Sequence, residues 1–176
     1  MRRRRVLRAA AVAALALLAP VAAFAQVTAA VGVSATISTT ALSIAQQSDL
    51  DFGAAVPGVP VTVNARTGAT AGMYEIHGAR NAEIAITMAL PTQLSTGFWT
   101  MPVTFGNTSG CWRRQGGQNG CNFWNPSTVL VERIRNNNPP NNQFLIWIGG
   151  TVTPSATQHT GMYLANITMS VVYTGN

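Results

Sequence analysis

Gln26-Val27-Thr28-Ala29-Ala30-Val31-Gly32-Val33-Ser34-Ala35-Thr36-Ile37-Ser38 is the stretch on which the reading of this chain turns. Its odd positions, Val27, Ala29, Val31, Val33, Ala35 and Ile37, are all apolar, and its even positions hold nothing larger than Gln26. Unbroken alternation with a period of two predicts a β-strand with one buried face. No proline interrupts the run and no hairpin turn adjoins it. A strand of this kind needs a sheet to enter, either its own or a neighbour's. Full burial of the six odd side chains is worth on the order of 6–10 kcal/mol, an upper bound because the unfolded chain already hides part of that area.

The residues ahead of this stretch predict a secretory leader over 1–25. Arg2, Arg3, Arg4, Arg5 and Arg8 form a positive region, Ala9 to Ala19 an apolar core too short to span a bilayer, and Ala23-Phe24-Ala25 a cleavage signal, with the cut between Ala25 and Gln26. Five of the chain's 11 basic residues belong to this leader. Residues 26–176 keep six arginines against five acids, with no lysine. That near-neutral balance removes the case for nucleic-acid binding, and no later apolar run is long enough for a membrane span. Residues 26–176 are enough for one domain with a real core.

Cys111 and Cys121 are the only cysteines. Export to an oxidising compartment predicts that they pair. They would close a short glycine-rich loop, worth roughly 2–3 kcal/mol in the chain-entropy model. Two cysteines and two scattered histidines are too few ligands for a metal site, and the spacing is not that of a C-x-x-C redox pair.

Past residue 38, short alternating runs recur between Gly, Pro, Asn and Thr breaks, with no helical period. Strands are expected at Leu42–Ile44, Leu50–Phe52, Val59–Val63 (an edge or irregular strand because of Pro60), Tyr74–Ile76, Ile84–Leu90, Met101–Phe105, Val129–Ile134, Phe144–Val152 and Tyr163–Tyr173. The segment from Gly106 to about Ser127 reads as loop, and Gly149-Gly150 as a bulge or a close backbone approach. The pattern predicts an all-β sandwich or barrel.

Chemistry-bearing residues are sparse. His77 and His159 are isolated, and neither a G-x-S-x-G nor an H-E-x-x-H sequence occurs. No paired acid and base or activated nucleophile is visible, so the expectation is a protein that is not an enzyme and carries no cofactor. Asp49 and Asp51 fall on one face of an expected strand, with turn capping by Asp49 a better reading than calcium binding. Trp99 and Trp147 are expected in or beside the core, and Trp112 and Trp124 on the cysteine loop. Trp112, beside Arg113 and Arg114, is the best candidate for a surface contact.

Four blocks in order carry a family resemblance: the alternating segment running into Ser38-Thr39-Thr40, then Asp49-Leu50-Asp51-Phe52-Gly53, then Trp147-Ile148-Gly149-Gly150-Thr151-Val152, and finally Gly161-Met162-Tyr163 followed by Ile167 to Tyr173. They resemble the secreted bacterial pilin-like β-sandwich families: archaic chaperone–usher pilus subunits, spore-coat-U-like domains, and a related surface domain of unknown function. Archaic pilus subunits usually carry a cysteine soon after the first segment. Positions 38–48 hold none, so the branch of unknown function fits better.

The resemblance implies an immunoglobulin-like sandwich of about seven strands, either complete or completed by a donor strand. Residues 26–38 would be the donor segment and 39–176 the sandwich domain. It implies a structural subunit of a surface fibre or coat, exported through the periplasm. Such subunits assemble head to tail with copies of themselves by donor-strand complementation, helped by a periplasmic chaperone and an outer-membrane usher. Ile167, Met169, Val171 and Tyr173 would line the acceptor groove. The alternative is a self-complemented, monomeric, adhesin-like surface domain.

Overall fold

The apolar run Phe144 to Val152 is the spine of the molecule. The computed structural model describes residues 41–135 and 143–175, all within the compact unit Ile37–Asn176. The alternating segment with Val27, Ala29, Val31, Val33, Ala35 and Ile37, and the expected cut between Ala25 and Gln26, lie outside the described residues.

Among the described residues are twelve strands and no helix. They are β1 (Ser43–Ser48), β2 (Val61–Val63), β3 (Gly72–His77), β4 (Glu83–Ala89), β5 (Gln93–Thr96), β6 (Trp99–Thr104), β7 (Gly110–Arg113), β8 (Asn122–Trp124), β9 (Leu130–Arg133), β10 (Gln143–Ile148), β11 (Gly150–Val152) and β12 (Thr168–Tyr173). They form three antiparallel sheets, ordered β1-β3-β10-β7-β8, β2-β11-β6-β5 and β12-β4-β9. None closes into a barrel, so the all-β expectation holds in its open form.

The count exceeds the expected seven or so because three short strands, β5, β7 and β8, sit where loops were expected, and because Gly149 divides one apolar run between two sheets. β10 belongs to the first sheet and β11 to the second. A Cβ at Gly149 would lie 2.1 Å from the Val63 carbonyl oxygen and 2.7 Å from the Ala65 nitrogen, both backbone atoms. Only glycine lets the chain cross at this point, so the glycine pair marks a close backbone approach. β2 is the edge of the second sheet, as Pro60 requires.

The first and third sheets share one core. Ile76, Phe144, Ile146, Ile148, Trp112 and Trp124 come from the first, and Ile84, Ile86 and Leu130 from the third. A second cluster lies on the opposite face of the first sheet, where Cys111, Leu145 and Trp147 pack with Val63, Ala65, Ala71 and Cys121. β10 is thus buried on both faces, which is why its sequence is apolar throughout rather than alternating. A third cluster gathers Met101, Val103 and Val152 on the second sheet.

Cys111 and Cys121 are joined in a disulfide with Cα atoms 5.6 Å apart. The loop they close is held from both sides. The Arg113 guanidinium donates to the carbonyls of Gly117 and Asn119 at 2.9 and 2.7 Å. The Gln118 amide donates to the Ala65 and Gly68 carbonyls at 2.8 and 3.1 Å.

Candidate functional site

Among the described residues, one side of the pair of facing sheets is closed and the other is open. On the closed side the outermost strands are β8 and β9, and their core-facing residues Trp124 and Leu130 are buried. Arg114, just past β7, donates to the Arg133 carbonyl at 3.0 Å and forms an ion pair with Glu132. Arg113 and Arg114 are therefore engaged within the fold. Trp112 is only 9% exposed and stacks on Phe144, ring centroids 5.3 Å apart. The expected surface contact at Trp112 is corrected: its ring faces the core because its register partner is Ile146, whose side chain points inward.

On the open side the outermost strands are β1 and β12, each paired along one edge only among the described residues. Directly opposed residues of an antiparallel pair point to the same face. Ile44 pairs with Ile76 and Gln46 with Tyr74, so Ile44 and Gln46 face the core. Every residue of β1 is nonetheless exposed. On β12, Met169, Val171 and Tyr173 pair with Met88, Ile86 and Ile84 and share their core face. Ile84 and Ile86 are fully buried, Met169 and Val171 half-buried and Tyr173 37% exposed. Burial therefore decays toward this edge from both sheets. The edge leaves core-facing apolar side chains in contact with water.

Two tyrosines tie the sheets across the opening. Tyr74, on the inner face of β3, donates its hydroxyl to the Ile167 carbonyl at 3.3 Å. Tyr173 accepts from the backbone N–H of Ala79 at 2.7 Å. Burial pushes the Tyr74 phenol above its usual range, and the neighbouring Asp49 carboxylate pushes it the same way: both disfavour the phenolate.

Below this edge lie two clefts that share a wall. The smaller, about 310 Å³, is bounded by Gln46 and Ser48 of β1 on one side and Leu164 to Ile167 on the other, over Tyr74, Phe105 and Ile148. The larger, about 760 Å³, continues between residues 49–55 and 158–165 over Leu94 and Met101. Leu50, Phe52 and Leu94 line both. The predicted Leu50–Phe52 strand does not form. The Asp51 carboxylate accepts from the Gly53 N–H at 2.7 Å, and Gly53 takes a φ of 67°, a turn that ends extension. Its apolar parity survives, because Leu50 and Phe52 still face the clusters. Capping falls to Asp51 rather than Asp49, whose carboxylate accepts from the Gln46 amide.

The predicted last strand, Tyr163–Tyr173, is shorter than expected: it begins at Thr168, and Ile167 lies just ahead of it at the rim of the smaller cleft. Leu164 instead exchanges both backbone hydrogen bonds with Ser95, each 2.9 Å. Trp147 is buried, as expected, but Trp99 is 50% exposed and stacks on His159. His77 meets Glu75 at 3.0 Å on the outer face of the first sheet. No group of three or more His, Cys, Asp or Glu gathers among the described residues. No helix there is long and apolar enough to cross a membrane. The disulfide is of the kind that forms in an oxidising, extracytoplasmic compartment.

No family model, curated protein or solved structure matches this chain.

Proposed function

We propose that this protein is a structural subunit of a bacterial surface fibre or coat. Its fold would be a pilin-like, immunoglobulin-like sandwich that a donor strand completes, and the β1/β12 edge would be the acceptor. The observation that carries this reading is that edge. Among the described residues, the two facing walls leave Ile44 exposed and Met169 and Val171 only half-buried on their core-facing sides, above clefts floored by Leu94, Met101, Phe105 and Ile148. A strand laid there would run between two strands that are outermost in their sheets among the described residues, with apolar side chains beneath.

The segment from Gln26 to Ser38 has the matching chemistry. It is uncharged, it is free of proline, and every second side chain is apolar. Supplied by a neighbouring copy, it makes a heterologous contact that does not close, so a fibre grows. A periplasmic chaperone would hold the edge before assembly and an outer-membrane usher would exchange the strand. A second reading draws on the same edge. The donor-like stretch ends at Ser38, five residues before β1 begins, near enough to fold back and complete its own domain as a monomeric surface protein.

The test is the mass distribution of periplasmic protein by size exclusion with light scattering, for the full chain, for Val31→Asp and for a deletion of residues 26–38. Fibre assembly predicts SDS-resistant multimers that both changes abolish while a folded subunit persists in complex with a chaperone. A stable monomer that both changes unfold would refute it in favour of self-completion.

A further inference from the structure

Three of the four tryptophans are buried; the fourth, Trp99, opens β6 at the tip of the β5–β6 hairpin, half exposed. Its parity continues the inward face of Met101 and Val103, but it lies past the end of the core they join, and His159 takes the place of a core neighbour. The imidazole lies on one face of the indole, centroids 3.7 Å apart and planes within 15°. The preceding residue, Phe98, is fully exposed, and Met162 is 75% exposed. Large apolar groups gathered in the open usually mark a contact surface.

This tip is held in place. The Gln158 amide donates to the Thr100 carbonyl at 3.1 Å and to the Tyr163 hydroxyl at 2.6 Å. That hydroxyl donates in turn to the His159 carbonyl at 2.8 Å. The Leu164–Ser95 pair anchors the other end of the loop. An indole fixed at this depth offers a flat apolar face whose ordering cost was met on folding.

The hairpin and the loop carry hydroxyls and no charge of their own, while the acids Asp49 and Asp51 line the larger cleft that Gln158 to Met162 also border. No Asp, Glu, Lys or Arg occurs between Glu83 and Arg113, or anywhere after Arg135, so hairpin and loop alike are free of them. The neighbours are Thr96, Thr100, Thr160 and Gln158. An anionic partner, whether nucleic acid or an anionic lipid surface, finds no cation on either segment to pair with.

From these features we infer that the Trp99 tip is a binding platform for neutral polysaccharide. The apolar face of a sugar ring lies on the indole face opposite His159, and hydroxyls such as those of Thr96 and Thr100 beside the ring meet its hydroxyl groups. Trp99 and Phe98 line neither cleft; His159, Thr160 and Met162 border the larger one, but none of the tip residues lines the smaller cleft beside β1. The platform stands whether or not the protein forms fibres.

The experiment is affinity electrophoresis of the full-length gene product through native gels containing starch, hydroxyethylcellulose, laminarin, galactomannan or dextran, with heparin and anionic phospholipid vesicles as charged comparisons. Retardation on at least one neutral polymer is expected. Trp99→Ala should weaken it about thirtyfold with an unchanged melting temperature, and Trp99→Phe should keep part of it. Retardation on no neutral polymer, equal retardation of Trp99→Ala, or retention on the charged probes alone would each overturn the assignment.

Discussion

Breaking the Cys111–Cys121 bond has a calculable consequence. The two residues are ten apart in sequence, and closing a loop of that size removes unfolded-chain entropy worth about 2.7 kcal/mol. Both sulfurs are buried against Trp147, Leu145 and Ala71, so replacing both with alanine adds a packing loss of about 1 kcal/mol or slightly more. The Arg113 and Gln118 hydrogen bonds keep the loop docked without the bond, which argues against loss of the whole fold. Reduction alone should therefore cost about 3 kcal/mol, and the Cys111→Ala, Cys121→Ala double variant about 4. For a domain of this size those losses lower the melting point by about 6–16 °C. The assay is a thermal melt followed by near-ultraviolet circular dichroism, at a concentration where light scattering shows monomer, with and without dithiothreitol. A double variant that falls while the reductant leaves the native protein unmoved would mean that packing alone stabilises this cluster. The loop-entropy reasoning would then be refuted.

Two further predictions follow from particular side chains. Tyr74→Phe should flatten the alkaline limb of stability. Because the folded phenol titrates above the unfolded value of 10.0, the neutral hydroxyl contributes fully below that pH and its contribution is lost as pH rises through the folded value; urea midpoints between pH 8 and 11 check this, and parallel curves for both proteins would contradict it. Trp112→Ala should cost about 3–5 kcal/mol, because its ring stacks on Phe144 inside the core, whereas Phe98→Ser should stay within about 0.5 kcal/mol; chemical denaturation of the pair reverses the usual expectation that a tryptophan beside two arginines is the surface residue.

How much of this was legible depended on which force set each element. β4 and β12 were readable because one face is buried and one is wet, so Ile84, Ile86 and Met88, and Met169 and Val171, alternate with smaller or polar neighbours. β10 was readable for the opposite reason: burial on both faces leaves an apolar run too short to be anything but a strand. β7 was missed. Gly110-Cys111-Trp112-Arg113 is buried on both sides, but its glycine is demanded by the Trp124 ring, 2.5 Å from where a Cβ would stand, and a close approach between strands leaves no periodic signal. Asp49 to Gly53 kept its parity and lost its hydrogen-bond ladder to one side-chain turn. The exchange of roles between Trp99 and Trp112 was hidden because parity says which face a residue takes, not how far the core extends beneath it. The Gly97-Phe98 turn directly before Trp99 was the available sign that the strand starts at a rim. Tyr74, which spans the open edge, was read only as a strand residue; what it bonds to lies 93 residues away.

The geometry of that edge also sets the pairing that any strand entering it can make. The C-terminal end of β12 meets the N-terminal end of β1: a Cβ at Gly78 would touch both the Tyr173 hydroxyl and the Leu42 side chain. The other ends are linked by Tyr74, opposite Gln46 in register, reaching Ile167. β1 and β12 therefore run antiparallel to each other. Residues 26–38 of the same chain are joined to β1 by a short connection, so folding back gives a hairpin, antiparallel to β1 and parallel to β12. A neighbour's segment is not so tethered and is free to enter in either direction; because β1 and β12 are antiparallel, any strand laid between them makes one antiparallel and one parallel ladder. Self-completion thus carries one cost that assembly does not, the closure of the short connection between Ser38 and Ser43. Against it stands the high effective concentration of a tethered strand. If the proposed edge accepts the donor stretch, that balance, set by the few residues between Ser38 and Ser43, would decide between fibre and monomer more directly than the apolar face of the donor stretch, which both outcomes would bury equally.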